Sequence, residues 1–230
     1  MDTNKINLDV GLLRLNLGSG RTTYPGFINL DFANLPETEL RWNLEKLPLP
    51  FKDNSVSEII CEHALEHLSN FTELLEDLYR ITAPRGRWYF VVPYYKYEGT
   101  FRDPTHKCFF SENTFDYFTE GNTFDYYSSV RLKVLKKKLR NSSKTNIRTS
   151  IKKLRKYVPF KSFLNNFLWN LYSEVYFELE VVKEDTAKND KTAEEKITTE
   201  KEITKDRDKV INEWRGIKKM KARNEKAGRR

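Results

Sequence analysis

Leu12-Leu13-Arg14-Leu15-Asn16-Leu17 runs straight into Gly18-Ser19-Gly20. A short apolar run stopped by a glycine turn reads as a buried strand whose end can come close to a ligand. In α/β sheets that approach falls at the carboxyl ends of the strands. The next run, Phe27-Ile28-Asn29-Leu30-Asp31, ends on an acid, and only residues 21–26 separate it from Gly20. A parallel crossover normally takes about a dozen residues or more, so the first helix is expected to be cut to about one turn.

Outward from this pair, strands are expected at 40–44, 56–61 and 87–93, with 64–68 opening toward a helix. The clearest helix covers 70–82. Asn70 is its expected cap, Glu73 sits three residues on, and Leu74, Leu75, Leu78 and Ile81 share one face. Pro84-Arg85-Gly86 ends it. A short helix is expected at 111–118, strands at 124–134 and 175–183, and an aromatic-rich helix at 165–173. This alternation predicts a Rossmann-like α/β fold. Its sheet is mostly parallel, seven-stranded and flanked by helices, with a short first helix and a basic helical insertion over 131–172 before the last strand.

The 230 residues suffice for one ordinary domain, placed at 1–184, followed by a charged tail at 185–230 that is expected to be disordered or a lone helix able to dock on a protein partner. The only cysteines, Cys61 and Cys108, exclude a disulfide scaffold and a four-cysteine zinc site. With no run of about 18 apolar residues and no apolar leader, the chain is expected in the cytoplasm. The net charge of +8 divides into −7 over residues 1–127 and +15 over 128–230, and residues 131–161 hold 13 basic residues and no acidic one.

A full dinucleotide fingerprint needs a third glycine, where this chain has Thr23, and an acid roughly 20 residues on. Asp31 follows Gly20 by 11 residues instead. A carboxylate there can accept hydrogen bonds from both hydroxyls of a ribose. Nucleoside binding survives this comparison; a nicotinamide-dependent oxidoreductase is weakened.

Leu15-Asn16-Leu17-Gly18-Ser19-Gly20 and Gly26-Phe27-Ile28-Asn29-Leu30-Asp31 resemble the class I S-adenosylmethionine-dependent methyltransferases, and most of all their type 11 group. Leu47-Pro48-Leu49-Pro50-Phe51, Asp53-Asn54-Ser55, Glu62-His63-Ala64-Leu65-Glu66-His67-Leu68, Leu78-Tyr79-Arg80-Ile81 and Asp103-Pro104-Thr105-His106 follow in the same order. The short spacing from Gly20 to Asp31 is usual in this subgroup. The resemblance implies an enzyme with S-adenosyl-L-methionine as cofactor. Gly18 and Gly20, with Ser19 between them, would line its methionine part, and Asp31 would hold the ribose. Asn43 and Leu44 would lie beside the adenine, although similar proteins usually have Asp where this one has Asn43. Glu62 and His63 would face the sulfonium. A loop over the pocket mouth would carry His106, a base for the acceptor proton or an anchor tied to Asp103. The candidate catalytic set is therefore His106, His63 and Asp103.

Residues 63–67 also fit the inverted zinc-protease pattern His-x-x-Glu-His. That chemistry needs both histidines on one helical face, and His63 falls at an expected strand end, so no metal site is expected. Pro93-Tyr94 follows the wrong strand for an amino-group nucleic-acid methyltransferase, and Cys61 has no preceding proline for a cytosine mechanism. The basic 131–172 segment, ending in Phe160, Phe163, Phe167, Trp169 and Tyr172, can lie on an anionic membrane face. The implied acceptor is a small molecule, a glycan or a lipid-linked glycan, taken at an oxygen or nitrogen. The alternative is a non-catalytic, basic nucleic-acid-binding module with a degenerate nucleoside pocket. The acidic front half argues against that, since such proteins place positive charge around the cleft.

Overall fold

The computed structural model describes residues 12–122, 125–141 and 159–183. Its strands are β1 (Leu13–Leu17), β2 (Ile28–Asp31), β3 (Leu40–Arg41), β4 (Val56–Glu62), β5 (Thr82–Pro93), β6 (Leu132–Arg140) and β7 (Glu174–Val181). Helix α1 covers Phe71–Ile81, and α2 (Gly99–Arg102) and α3 (Lys161–Leu164) are single turns. The strands form one sheet in the order β3-β2-β1-β4-β5-β7-β6. Every pair from β3 to β5 is parallel, and β7 runs antiparallel to both β5 and β6. This is the expected Rossmann-like, mostly parallel seven-stranded sheet. The chain winds outward from β1 in both directions, so the carboxyl ends of β1, β2 and β4 border a switch point, where such sheets bind ligands.

Apolar side chains at alternating and continuous positions explain the sheet. Leu15, Leu17, Leu30, Ile59, Trp88, Phe90 and Phe177 are all excluded from solvent. Burying side chains of this size contributes about 1.5–3 kcal/mol each. The polar atom of Trp88 is satisfied inside the core: its indole N–H donates to Thr82 Oγ1 at 2.9 Å, and that hydroxyl donates to the Leu78 carbonyl at 2.6 Å. Helix α1 covers one face with Leu74, Leu75, Leu78 and Ile81. Asp77 on the same face accepts from the Leu49 amide at 2.6 Å and from Arg80 Nε at 2.7 Å. Asn70 precedes the helix, but its side chain makes no cap and donates instead to the Leu44 carbonyl.

Four expectations need correction. The β1–β2 connection contains no helical turn. Two backbone turns suffice, closed by Thr22 N–H to Ser19 O and Phe27 N–H to Tyr24 O. The strand expected at 124–134 begins only at Leu132, where buried Leu132 and half-buried Val134 set the alternation. Residues 132–140 are consequently not part of a helical insertion: they are β6, the last strand of the sheet among the described residues, bridged at its start by Thr119 and rich in lysine as edge strands are. Residues 165–173 are not helical either. The helix there is the single turn α3, and Asn170 sits at φ +63°, a left-handed conformation that stops a helix. The rest of the basic segment, 142–158, and the tail beyond residue 183 lie outside the described residues.

Candidate functional site

The glycine turn and the acid meet. Gly18 (φ +59°) and Gly20 (φ +50°) both adopt the left-handed conformation that glycine allows at no steric cost. A Cβ at Gly18 would stand 2.4 Å from Ala64 Cβ, whereas one at Gly20 would meet nothing within 4 Å. Gly18 therefore lets the β4 exit pack close, and Gly20 borders open space. The Gly20 amide donates to Asp31 Oδ2 at 2.8 Å, and the Ala33 amide donates to Oδ1 at 2.8 Å. Each oxygen keeps acceptor capacity. Asn16, buried in β1, holds the loop in place by donating to Thr22 O and Asn29 Oδ1.

The buried Ser19 carries a hydroxyl without a partner, an orphaned polar group beside the same opening. An open Gly20 face, this hydroxyl and the Asp31 carboxylate fit the amino-acid and ribose parts of S-adenosylmethionine. Phe32, 70% exposed directly after Asp31, was missed in the sequence because a lone aromatic beyond a strand end carries no signal. Asn43 is exposed, and its side-chain carbonyl accepts from the Glu45 amide at 2.9 Å. Leu44 departs from expectation: its side chain turns into the core, because apolar burial outweighs display at an open face.

At the end of β4, His63 stands at φ +53°, a strained conformation for a side-chain-bearing residue. Its Nε2 lies 3.2 Å from Glu174 Oε2 and its Nδ1 3.4 Å from Glu66 Oε1. Arg140 Nε donates to the other Glu174 oxygen at 2.6 Å. Burial opposes charge on His63, but hydrogen bonds to Glu174 and Glu66 outweigh it and push its pKa up to about 9. Burial alone would raise Glu174, yet the His63 hydrogen bond and the Arg140 charge hold it below the usual carboxylate range. The Tyr24 hydroxyl is raised, first by burial and then by the facing Glu62 carboxylate. Glu174, Arg140 and Tyr24 come from three distant segments, so only the sheet order could reveal them. An imidazolium between two carboxylates has no lone pair at neutral pH, so His63 at the β4 end is a charged donor to both.

His106 is nearly buried. Its Nδ1–H donates to the Thr100 carbonyl at 2.7 Å, while Asp103 Oδ2 stands 3.8 Å from its Nε2. The loop anchor is thus the Thr100 carbonyl rather than Asp103. Asp103 instead binds the amide and hydroxyl of Thr105 at 2.9 and 2.7 Å, and these hydrogen bonds lower its pKa. Both cysteines are free. Burial pushes the Cys61 thiol far up, as befits a core residue.

Residues 25–90 match the family model of a methyltransferase domain, type 11. No curated protein matches the chain. Among solved structures, the chain is similar to the YcgJ protein of Bacillus subtilis, with 14% identity, 77% of this chain and 95% of that one covered, and a TM-score of 0.48. It is also similar to a SAM-dependent methyltransferase of Archaeoglobus fulgidus, with 16% identity, coverage of 76% and 88%, and a TM-score of 0.48. The matched stretch begins at Pro25, beyond the glycine turn, and runs through β2, β3, β4 and α1 into β5. The match over residues 25–90 and the Rossmann-like sheet support a class I S-adenosylmethionine-dependent methyltransferase of the type 11 group.

Proposed function

We propose that this methyltransferase acts on an oxygen or nitrogen of a glycan or lipid-linked acceptor, bound over the loop that follows β5. Gly18, Ser19 and Gly20 hold the methionine part of the cofactor, Asp31 takes the ribose hydroxyls, and Phe32 and Asn43 flank the adenine. Bound there, the cofactor supplies an electrophilic methyl on a sulfonium. The observation that carries this reading is the Gly20–Asp31 hydrogen bond beside an open Gly20 face.

Catalysis in this reading is mostly positioning. Glu62 and the cationic His63 close the sulfonium side. His106 carries its lone pair on Nε2, because its other nitrogen donates to the Thr100 carbonyl. On the acceptor side, exposed aromatics form a shelf. Phe101 stacks on Phe109 at 5.0 Å and tilts toward Trp169 at 6.0 Å, and Tyr95 meets Trp169 at 6.5 Å. Exposed apolar patches of this kind mark binding surfaces. Lys96 fastens the shelf by donating to the Asn165 and Asn166 carbonyls. Aromatics beside a lysine-rich segment suit an acceptor held at an anionic membrane face. Among the described residues no helix is long and apolar enough to cross a membrane.

The nucleic-acid alternative has less support. Lys136–Lys138 lie on the edge strand, and Lys137 is engaged by Asp116 at 2.7 Å and Asn113 at 2.8 Å.

Calorimetry of the full chain with S-adenosylhomocysteine tests the cradle. Binding that disappears in Asp31→Ala is expected; equal binding by that variant would overturn the assignment.

A further inference from the structure

We propose that Glu66, His67 and His106 form a binding site for a zinc-like divalent cation. One donor atom from each of the three lies within 4.8 Å of the others. Glu66 and His67 come from the turn after β4, and His106 from the loop after β5, so the set is assembled by the fold.

Hydrogen bonds fix which nitrogens are available. The Thr100 carbonyl can only accept, so His106 Nδ1 carries the proton and Nε2 the lone pair. Thr105 donates its hydroxyl hydrogen to Asp103 Oδ1, so at His67 it must accept, and the 2.8 Å contact is an Nδ1–H donation. His67 Nε2 is then also a lone pair. The two rings stand edge to face with centroids 4.8 Å apart. Metal-bound histidines characteristically donate their second nitrogen to a carbonyl or carboxylate in this way, which fixes the tautomer. Here a carbonyl holds one ring, and a hydroxyl backed by Asp103 holds the other.

The third member supplies independent support. Glu66 is 1% exposed, and its Oε2 has no hydrogen-bond partner. A buried carboxylate oxygen without a partner costs free energy unless a proton or cation meets it. Lys107 and Cys108 amides already bind its backbone carbonyl at 2.7 and 3.1 Å, pinning the residue. Two imidazoles and one carboxylate with open positions are the donor set of catalytic zinc and of related first-row cations. The set differs from the His63–His67 pair of the sequence pattern: His63 is occupied by Glu174 and by the other Glu66 oxygen.

The cluster is joined along the chain to both cradle and shelf. Ala64, two residues before Glu66, faces Gly18, and Phe101 and Phe109 flank the His106 loop. An acceptor hydroxyl on the shelf could take the open position, where the cation would ease loss of its proton to solvent. That role rests on the proposed acceptor side, whereas the site itself does not.

The test strips the full chain with a chelator and titrates it with Co2+, followed by visible absorption, and with Zn2+ in competition. One equivalent is expected to bind. Binding is expected to weaken about 100-fold or more in each of His67→Gln, His106→Gln and Glu66→Gln. Thermal melting of the metal-free variants checks that they fold, and S-adenosylhomocysteine calorimetry reads the cradle separately. No Co2+ binding by wild type, or equal binding by a folded His106→Gln and His67→Gln, overturns the site whatever the cradle does. Metal binding with no cofactor binding would sink the cradle assignment and leave the site standing.

Discussion

The Gly20 amide donates to the Asp31 carboxylate at 2.8 Å across eleven residues of sequence. The bond couples the loop to the acid, and the Ala33 amide holds the other carboxylate oxygen at 2.8 Å. Asp31→Asn keeps the shape but replaces one acceptor oxygen with a donor that faces either the Gly20 or the Ala33 amide. Hydrogen bonds to a charged acceptor are worth about 1.5–3 kcal/mol each. Losing one to a ribose hydroxyl should weaken S-adenosylhomocysteine by roughly 10- to 100-fold in Kd. Calorimetry reads this; an unchanged Kd would place the sugar elsewhere.

The two glycines should fail differently. Gly18→Ala adds a methyl 2.4 Å from Ala64 Cβ at φ +59°. Overpacking and left-handed strain together predict a loss of about 3 kcal/mol in urea unfolding. Gly20→Ala meets no neighbour, so only the strain remains, about 1 kcal/mol. Its methyl instead enters the cradle and should weaken the cofactor. A Gly20→Ala variant that binds normally would show that the open space is not the cofactor's.

The contrast also marks what the sequence could say. The Gly18-Ser19-Gly20 turn, Asp31 and the α1 face were legible because each is a local pattern with a local physical cause. The edge strand β6 was not: Lys136-Lys137-Lys138 reads as a solvated run unless Glu178, Phe177 and Tyr176 of β7 are seen opposite it. Likewise the sequence places His63 at the sulfonium end without a partner, and Glu174, 111 residues away, pairs with it and favours its charged form. The tautomers of His67 and His106 depend on Thr100 and Thr105, residues with no motif of their own.

His63 gives the pH dependence. Its folded-state pKa is raised, from 6.5 to about 9, by Glu174 and Glu66 against the opposing effect of burial. A raised value means the contribution to stability is full below about pH 6.5 and is lost as pH rises through about 9. Its side chain is 46% exposed, so solvent screening trims the contribution to about 1 kcal/mol. In cation-free protein, wild type should exceed His63→Gln in urea stability at pH 6, and the gap should close by about pH 10. A gap that widens with pH would mean that His63 is neutral when folded.

The aromatic shelf should separate binding from folding. Phe101, Phe109 and Trp169 are each at least half exposed. Serine at all three should therefore cost little stability, within roughly 0.5 kcal/mol per site. Full-length wild type is expected to float with anionic vesicles at low salt and to release as salt rises, because its basic residues are screened over about 10 Å at 0.1 M. The triple variant should lose flotation while melting within a few degrees of wild type and retaining S-adenosylhomocysteine binding. Undiminished flotation would move the membrane contact away from the shelf. If wild type ignores anionic vesicles, the shelf must serve an acceptor that is not presented on a bilayer.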